Sequence, residues 1–247
     1  MFIHNINPAI LSIFGLEIRY YGMVYVIGFL LVLFILLKQN DKLRLTKDEI
    51  YDYIFYSIIF VILGARLFEI LFYQPSYYFS NPLQMIMIWK GGLSFHGGLA
   101  GIVIWTYFFA RKKKIHFYDL TDILVIPAAL ILFVGRIANF INGELVGRIT
   151  NVSWAVKFPD YEGYRHPSQI YEALKNMLIF FVLFFLRNRN LRKGTLTWLF
   201  VFLYGILRFL IEFVEEPTSL ILGIPTGQLL SLIMVIIGGY FLFRKWK

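Results

Sequence analysis

Seven apolar runs dominate this chain, each near the roughly 20 residues that a helix needs to cross the hydrocarbon core of a bilayer. They cover residues 20–37, 50–72, 93–110, 121–141, 168–186, 195–213 and 227–243. Inside lipid no water satisfies a backbone N–H or C=O, so runs of this length are predicted to be helices. Composition agrees: 59% of the residues are hydrophobic and 16% are charged, against about 25% charged in soluble domains. The formal net charge is +9. In a soluble chain that balance would suggest nucleic acid, but here the charges form short clusters between apolar runs, a sign of membrane topology. No nucleic-acid partner is expected. The absence of cysteine excludes disulfides, thiolate metal sites and a cysteine nucleophile. No internal repeat or long linker is visible. The expected fold is therefore an all-α integral membrane protein: a bundle of seven transmembrane helices forming one domain, residues 1–247. Residues 1–19 lack the basic start and cleavage site of a secretory signal, so the first run is expected to be retained.

Basic residues orient the bundle. Lys38, Lys42, Arg44 and Lys47 follow the first run, Arg111 to Lys114 the third, and Arg187, Arg189, Arg192 and Lys193 the fifth. Arg244, Lys245 and Lys247 close the chain, and these alternate loops hold fifteen of the 24 basic residues. The opposite loops hold Arg19, Lys90, Arg148, Lys157 and Arg165. The positive-inside rule then puts the N-terminus outside and the C-terminus in the cytoplasm, in agreement with an odd number of spans. The longest external loop, about residues 142–167, is expected to form a small head.

That loop begins inside the most polar stretch of the chain, Gly135-Arg136-Ile137-Ala138-Asn139-Phe140-Ile141-Asn142-Gly143-Glu144-Leu145-Val146-Gly147-Arg148. Arg136 and Asn139 are three apart and share a helix face. Gly143 and Gly147 permit a turn or a close approach. Such a cluster at the outer mouth of an apolar helix suits something anionic.

Four cations fall within the runs: Arg66, Arg136, Lys175 and Arg208. Each costs about 2.5–3.5 kcal/mol at the centre of a membrane helix. Helical spacing offers Glu69 to Arg66, Glu212 and Tyr204 to Arg208, and Glu172 and Tyr171 to Lys175. Structural ion pairing and function weigh evenly for Arg66 and Lys175. Arg136 and Arg208 lie in denser polar settings near the outer face, which favours function.

His96 suits proton chemistry, though Gly97 and Gly101 around it form a small-xxx-small pair that more often serves helix contact. Ser94 invites a serine-hydrolase reading, which the lack of a nucleophile-elbow pattern and of an orienting third group discounts. His4, His116 and His166 lie in loops without zinc-site spacing, so no metal is expected. Tyr21, in Tyr20-Tyr21-Gly22, belongs by default to an interfacial aromatic belt. Pro167 and Ser168 make a good helix start, which leaves unexplained why Arg165, Gln169 and Glu172 crowd the same end. The residues alone thus predict an outward-facing polar cavity for a phospholipid headgroup. Reaction and transport remain open at this level.

The block Ser94 to Gly98, the stretch Gly135–Arg148, the block Arg165 to Glu172, and Tyr204 to Phe213 resemble, in the same order along the chain, the motifs of the bacterial prolipoprotein diacylglyceryl transferases. The resemblance implies seven spans with the N-terminus outside, in the bacterial cytoplasmic membrane, and an active site toward the outer face. It implies transfer of the diacylglyceryl group of phosphatidylglycerol to the lipobox cysteine of a preprolipoprotein signal peptide, forming a thioether and releasing glycerol phosphate. On it, His96 is the base, and Arg136 and Arg208 grip the departing phosphate. Asn139, Glu144, Gly147, Tyr21, Tyr204 and Glu212 contact substrate or orient the arginines. No cofactor is needed, because nucleophile and electrophile arrive with the substrates. Ala138 stands where the family commonly has glycine, Val146 where an aromatic is frequent, and Glu215 where a basic residue can occur, which bears on cavity shape and rim charge. The alternative is a transporter or lipid translocase that holds an anionic headgroup; an inverted repeat would favour it. The phosphate-clamp reading requires Arg136 and Arg208 to share a chamber with room for a headgroup rather than be neutralised wholly by neighbouring acids.

Overall fold

The computed structural model describes residues 2–13, 16–217 and 219–244; Lys245 and Lys247 of the expected cytoplasmic cluster lie outside them. A long helix occupies each apolar run: α1 Tyr20–Lys38, α2 Lys47–Phe68, α3 Phe95–Lys113, α4 Phe117–Asn142, α5 Ser168–Leu186, α6 Thr195–Ile211 and α7 Thr226–Phe243. α2 continues through a π-helical turn, Glu69–Tyr73. Five of these helices (α1, α2 with its π turn, α4, α5 and α7) are long and apolar enough to cross a membrane. α6, at 17 residues, is shorter, and α3, glycine-rich at its start and basic at its end, is not among the five. Large apolar side chains such as Val26, Ile27, Leu30 and Phe34 of α1 are exposed, as a lipid-facing surface requires. The chain is a mostly helical, multi-pass membrane protein. It is not wholly helical, because short strands pair: Phe2–Ile3 with Val156–Lys157, Ala9–Ile13 with Leu16–Arg19, and Leu220–Ile221 with Ile224–Pro225.

The described structure forms two compact units. In the unit Val32–Thr121, α2 starts at Lys47, ahead of its apolar run, because Thr46 and Glu49 form a reciprocal capping box. α2 and α3 approach closely at glycines: a Cβ on Gly101 would fall on the Phe60 carbonyl, and one on Gly64 on the Gly97 carbonyl. This is the helix contact that the Gly97/Gly101 spacing suggests. Buried polar groups are paired: the Tyr53 and Thr106 hydroxyls lie 2.8 Å apart, and Trp105 Nε1 donates to the Tyr53 carbonyl at 3.0 Å.

Arg66 differs from its sequence reading. Its guanidinium donates to the carbonyls of Met85 (3.0 Å), Gly91 (2.6 Å), Gly92 (2.8 Å) and Gln84, and to the Tyr78 hydroxyl (3.0 Å). Glu69, its expected partner, instead accepts from Gln74 Nε2 at 3.3 Å. A buried cation with five N–H groups can order a loop by collecting its carbonyls, and here it pins the segment that leads into α3.

The other unit comprises Met1–Leu31 and Asp122–Lys247. Ala129, Ile179, Leu183 and Leu196 form its apolar core. Asp122 of α4 caps α6 by accepting from the Gly194 and Thr197 amides at 2.7 and 2.8 Å. α6 and α7 meet at small residues, Gly205 against the Ser231 carbonyl and Gly238 against the Phe202 backbone, and Trp198 stacks on Phe241 at 4.3 Å. The loop after α4 folds as a small head around Val146, Val156 and Phe158. Strand Phe2–Ile3 pairs with Val156–Lys157, and buried His4 hydrogen-bonds the Phe140 carbonyl at 2.7 Å and packs on Phe158. His4 therefore ties the N-terminal segment to the head.

Candidate active site

The polar stretch behaves locally as its sequence suggests. α4 carries Arg136 and Asn139 to its end at Asn142, and Gly143, at φ +70°, turns the chain away. Asn139 and Asn142 both donate to Glu144 Oε1, at 2.7 and 3.1 Å. Glu144 is thus held by asparagine amides; the resemblance implied that it orients an arginine or contacts substrate. Gln169 Nε2 donates to the Glu144 carbonyl at 2.6 Å, and the Ser168 hydroxyl to the Leu145 carbonyl at 2.9 Å. Both side chains at the start of α5 therefore clamp the polar loop, and Ser168 does not cap its own helix. Tyr21, Gly22, Glu17, Arg19, Asn139, Asn142, Glu144 and Leu145 line a cleft of about 540 Å³. Three expected substrate contacts, Tyr21, Asn139 and Glu144, thus share one opening.

Behind that loop three helices converge on one carboxylate. Glu172, on α5, is fully buried. Lys175 Nζ lies 2.8 Å from its Oε2, Arg136 Nε from α4 lies 3.4 Å from the same oxygen, and Arg208 Nη1 from α6 lies 3.1 Å from Oε1. Arg208 Nη2 also meets Glu212 at 2.6 Å, as helical spacing predicts. Arg208 Nη1 further meets Glu215. Lys175 lies 3.6 Å from the centroid of the Tyr204 ring, a cation–π contact. Tyr171, its other expected neighbour, is instead hydrogen-bonded to Trp154 Nε1 at 2.7 Å and to His166 at 3.1 Å. Among the described residues this cluster holds three cations and three carboxylates, so its formal charge is zero. Arg136 and Arg208 are both paired with acids and neither lines the cleft, so as they stand they do not meet the requirement of a shared chamber free of neutralising acids.

Gly147 sits where backbone crowds it. Its amide donates to the His166 carbonyl at 3.0 Å, and a Cβ there would come within 2.6 Å of the Val214 carbonyl oxygen. Arg165 donates to the Gly147 carbonyl at 3.1 Å and pairs with Glu216 at 2.9 Å. Arg165, Gln169 and Glu172 therefore have three separate tasks: bracing the head, holding the loop and anchoring the cations. Burial pushes the nearby His166 imidazole below its ordinary value.

His96 belongs to the unit Val32–Thr121. It is exposed near the start of α3, and its Nδ1 lies 3.0 Å from the Tyr73 hydroxyl. Ser94 caps α3 by accepting from the Gly97 amide, which accounts for this serine without nucleophilic chemistry.

The sequence model of the prolipoprotein diacylglyceryl transferase family matches residues 8–244. The chain belongs to that family. Proteins named phosphatidylglycerol–prolipoprotein diacylglyceryl transferase resemble it nearly end to end. The one from Geobacter sulfurreducens is 44% identical over 242 residues, covering 95% of this chain and 93% of the relative. The one from Rickettsia africae is 43% identical, covering 98% and 97%. The one from Bordetella parapertussis is 41% identical, covering 97% and 95%. Within a family defined by a transferase activity, two features of this cluster stand out that spacing had not revealed. Glu172 is the hub on which Arg136 and Arg208 meet, where the sequence shows it as a neighbour of Lys175 and one of three polar residues crowding the start of its helix. Glu215, noted only as a departure from the family pattern, is a direct partner of Arg208.

Proposed function

We propose that the chain transfers the diacylglyceryl group of phosphatidylglycerol to the lipobox cysteine of a preprolipoprotein. It does so as one seven-span domain in the bacterial cytoplasmic membrane, with the N-terminus and the active site on the outer face. The observation that supports this reading is the convergence of Arg136 and Arg208 on Glu172. One buried carboxylate aims two guanidiniums from different helices, and planar guanidiniums match phosphate oxygens.

The chemistry requires little else. A free thiol has a pKa near 8.5, so the attacking cysteine must lose its proton; His96 takes it. The thiolate forms a bond to the terminal glycerol carbon of the diacylglyceryl unit. The bond from that carbon to the phosphate oxygen breaks, and glycerol phosphate leaves with the electron pair. Charge grows on the phosphate as it departs, and preorganised cations lower that barrier; Arg136 and Arg208 supply them. Glu212 orients Arg208. Tyr21, Asn139 and Glu144 meet the glycerol hydroxyls in their shared cleft, Tyr204 borders the lipid, and Gly147 keeps the head close against the loop.

The test is incubation of the purified protein with phosphatidylglycerol and a lipobox peptide. The peptide should gain the mass of one diacylglyceryl group, and release of glycerol phosphate should match it. A peptide of unchanged mass overturns the assignment.

A further inference from the structure

The Arg208 guanidinium is already occupied. Nη2 meets Glu212 at 2.6 Å, and Nη1 meets both Glu172, at 3.1 Å, and Glu215. With three cations matched by three carboxylates, a phosphodiester would bring a surplus negative charge into a buried setting, where unmatched charge is costly. An anion enters only if one carboxylate yields its place.

The three carboxylates are not equally able to yield. Glu172 is fully buried and serves Arg136, Lys175 and Arg208 together. Its departure would strand three cations. Glu212 packs against Gly227 in the first turn of α7, where a helix N-terminus favours negative charge. Glu215 lies beyond the end of α6, and its carboxylate meets Arg208 Nη1. The backbone around it is held independently. The Arg148 amide donates to the Val214 carbonyl at 2.8 Å, Arg148 Nε to the Glu215 carbonyl at 3.1 Å, and the Glu216 amide to the Val146 carbonyl at 3.3 Å. The side chain can therefore rotate away while its strand-like segment stays in place.

We propose that Glu215 is an internal stand-in for the substrate's phosphate: it occupies Arg208 in the free protein and is displaced by the lipid's phosphodiester. It thereby sets the affinity for singly charged anionic headgroups. This rests on the phosphate-clamp reading above. A carboxylate oxygen and a phosphodiester oxygen both accept from a guanidinium N–H, so a phosphodiester oxygen can take the place of the Glu215 carboxylate at Arg208 Nη1. Removing the stand-in leaves the cluster one positive charge in excess, which the headgroup itself neutralises.

The test compares the unaltered protein with Glu215→Gln in lipid nanodiscs, with phosphatidylglycerol varied at saturating lipobox peptide. The KM for the lipid should fall about three- to tenfold, because competition by a neighbouring charge has been removed, while kcat is kept. More phosphatidylglycerol should also co-purify with the variant, as read by mass spectrometry. Glu216→Gln, which removes the same charge one residue along but from the Arg165 pair, should leave KM unchanged. Glu215→Asp, which keeps the charge on a shorter arm, serves as a second variant if Glu215→Gln does not fold, and it should lower KM by a smaller factor. If the unaltered protein transfers while the folded Glu215 variants show an unchanged or raised KM, displacement is overturned and the phosphate clamp survives. If the unaltered protein transfers nothing, the clamp falls and the proposal falls with it.

Discussion

Glu172→Gln removes the one charge that three cations share without changing the side chain's shape. Glu172 has no exposed surface, and Lys175 and Arg136 retain 2% and 19% side-chain exposure. Loss of one partner from a buried ion pair costs about 3–5 kcal/mol, since the survivors stay buried and unmatched. For a chain of this size each kcal/mol lowers the melting temperature by about 2–4 °C, so a fall of about 6–20 °C is expected. Adding Lys175→Met restores the balance, leaving Arg136 and Arg208 against Glu212 and Glu215. The double variant should recover part of the loss, because Arg136 still lacks its Glu172 partner, with a coupling of about 1 kcal/mol or more between the two sites. Tryptophan-fluorescence melting in one detergent, on all four members of the cycle, measures this. A single variant that melts within about 2 °C of the parent, equivalent to under 1 kcal/mol, would refute the hub. So would strictly additive losses in the double variant.

Other expectations follow from the same geometry. Arg136→Lys should abolish nearly all transfer, because a point charge cannot reproduce a planar fork, and peptide mass spectrometry reads the loss. His96→Gln should lose transfer yet retain bound phosphatidylglycerol through purification; retained turnover would remove His96 from the chemistry. Burial holds the His166 imidazole below its ordinary value, so the unfolded chain binds the extra proton and stability rises with pH across that range. The melting temperature should therefore fall as pH drops below about 6.5, and His166→Gln should reduce that slope. A cysteine placed at Lys157 should react with an impermeant maleimide from outside, and one at Lys113 only after permeabilisation; the reverse pattern would invert the topology.

Much of the helical framework was legible because a bilayer leaves a backbone few options: apolar length alone forces a helix, so all seven runs became helices within a few residues. Pairs one turn apart were legible for the same reason. Arg208 meets Glu212, and Lys175 meets Glu172, because helical rise places those side chains side by side. The same rule failed for Arg66 and Glu69, where a loop folded back and offered carbonyls that no local spacing encodes. It was silent on the meeting of Arg136, Glu172 and Arg208, which lie on three helices whose rotation and depth are set by packing. The sequence by itself determined which segments are helices and which residues are too costly to bury alone. Only the tertiary structure decided which charges neutralise one another, because that depends on distances of a few ångströms between groups far apart along the chain.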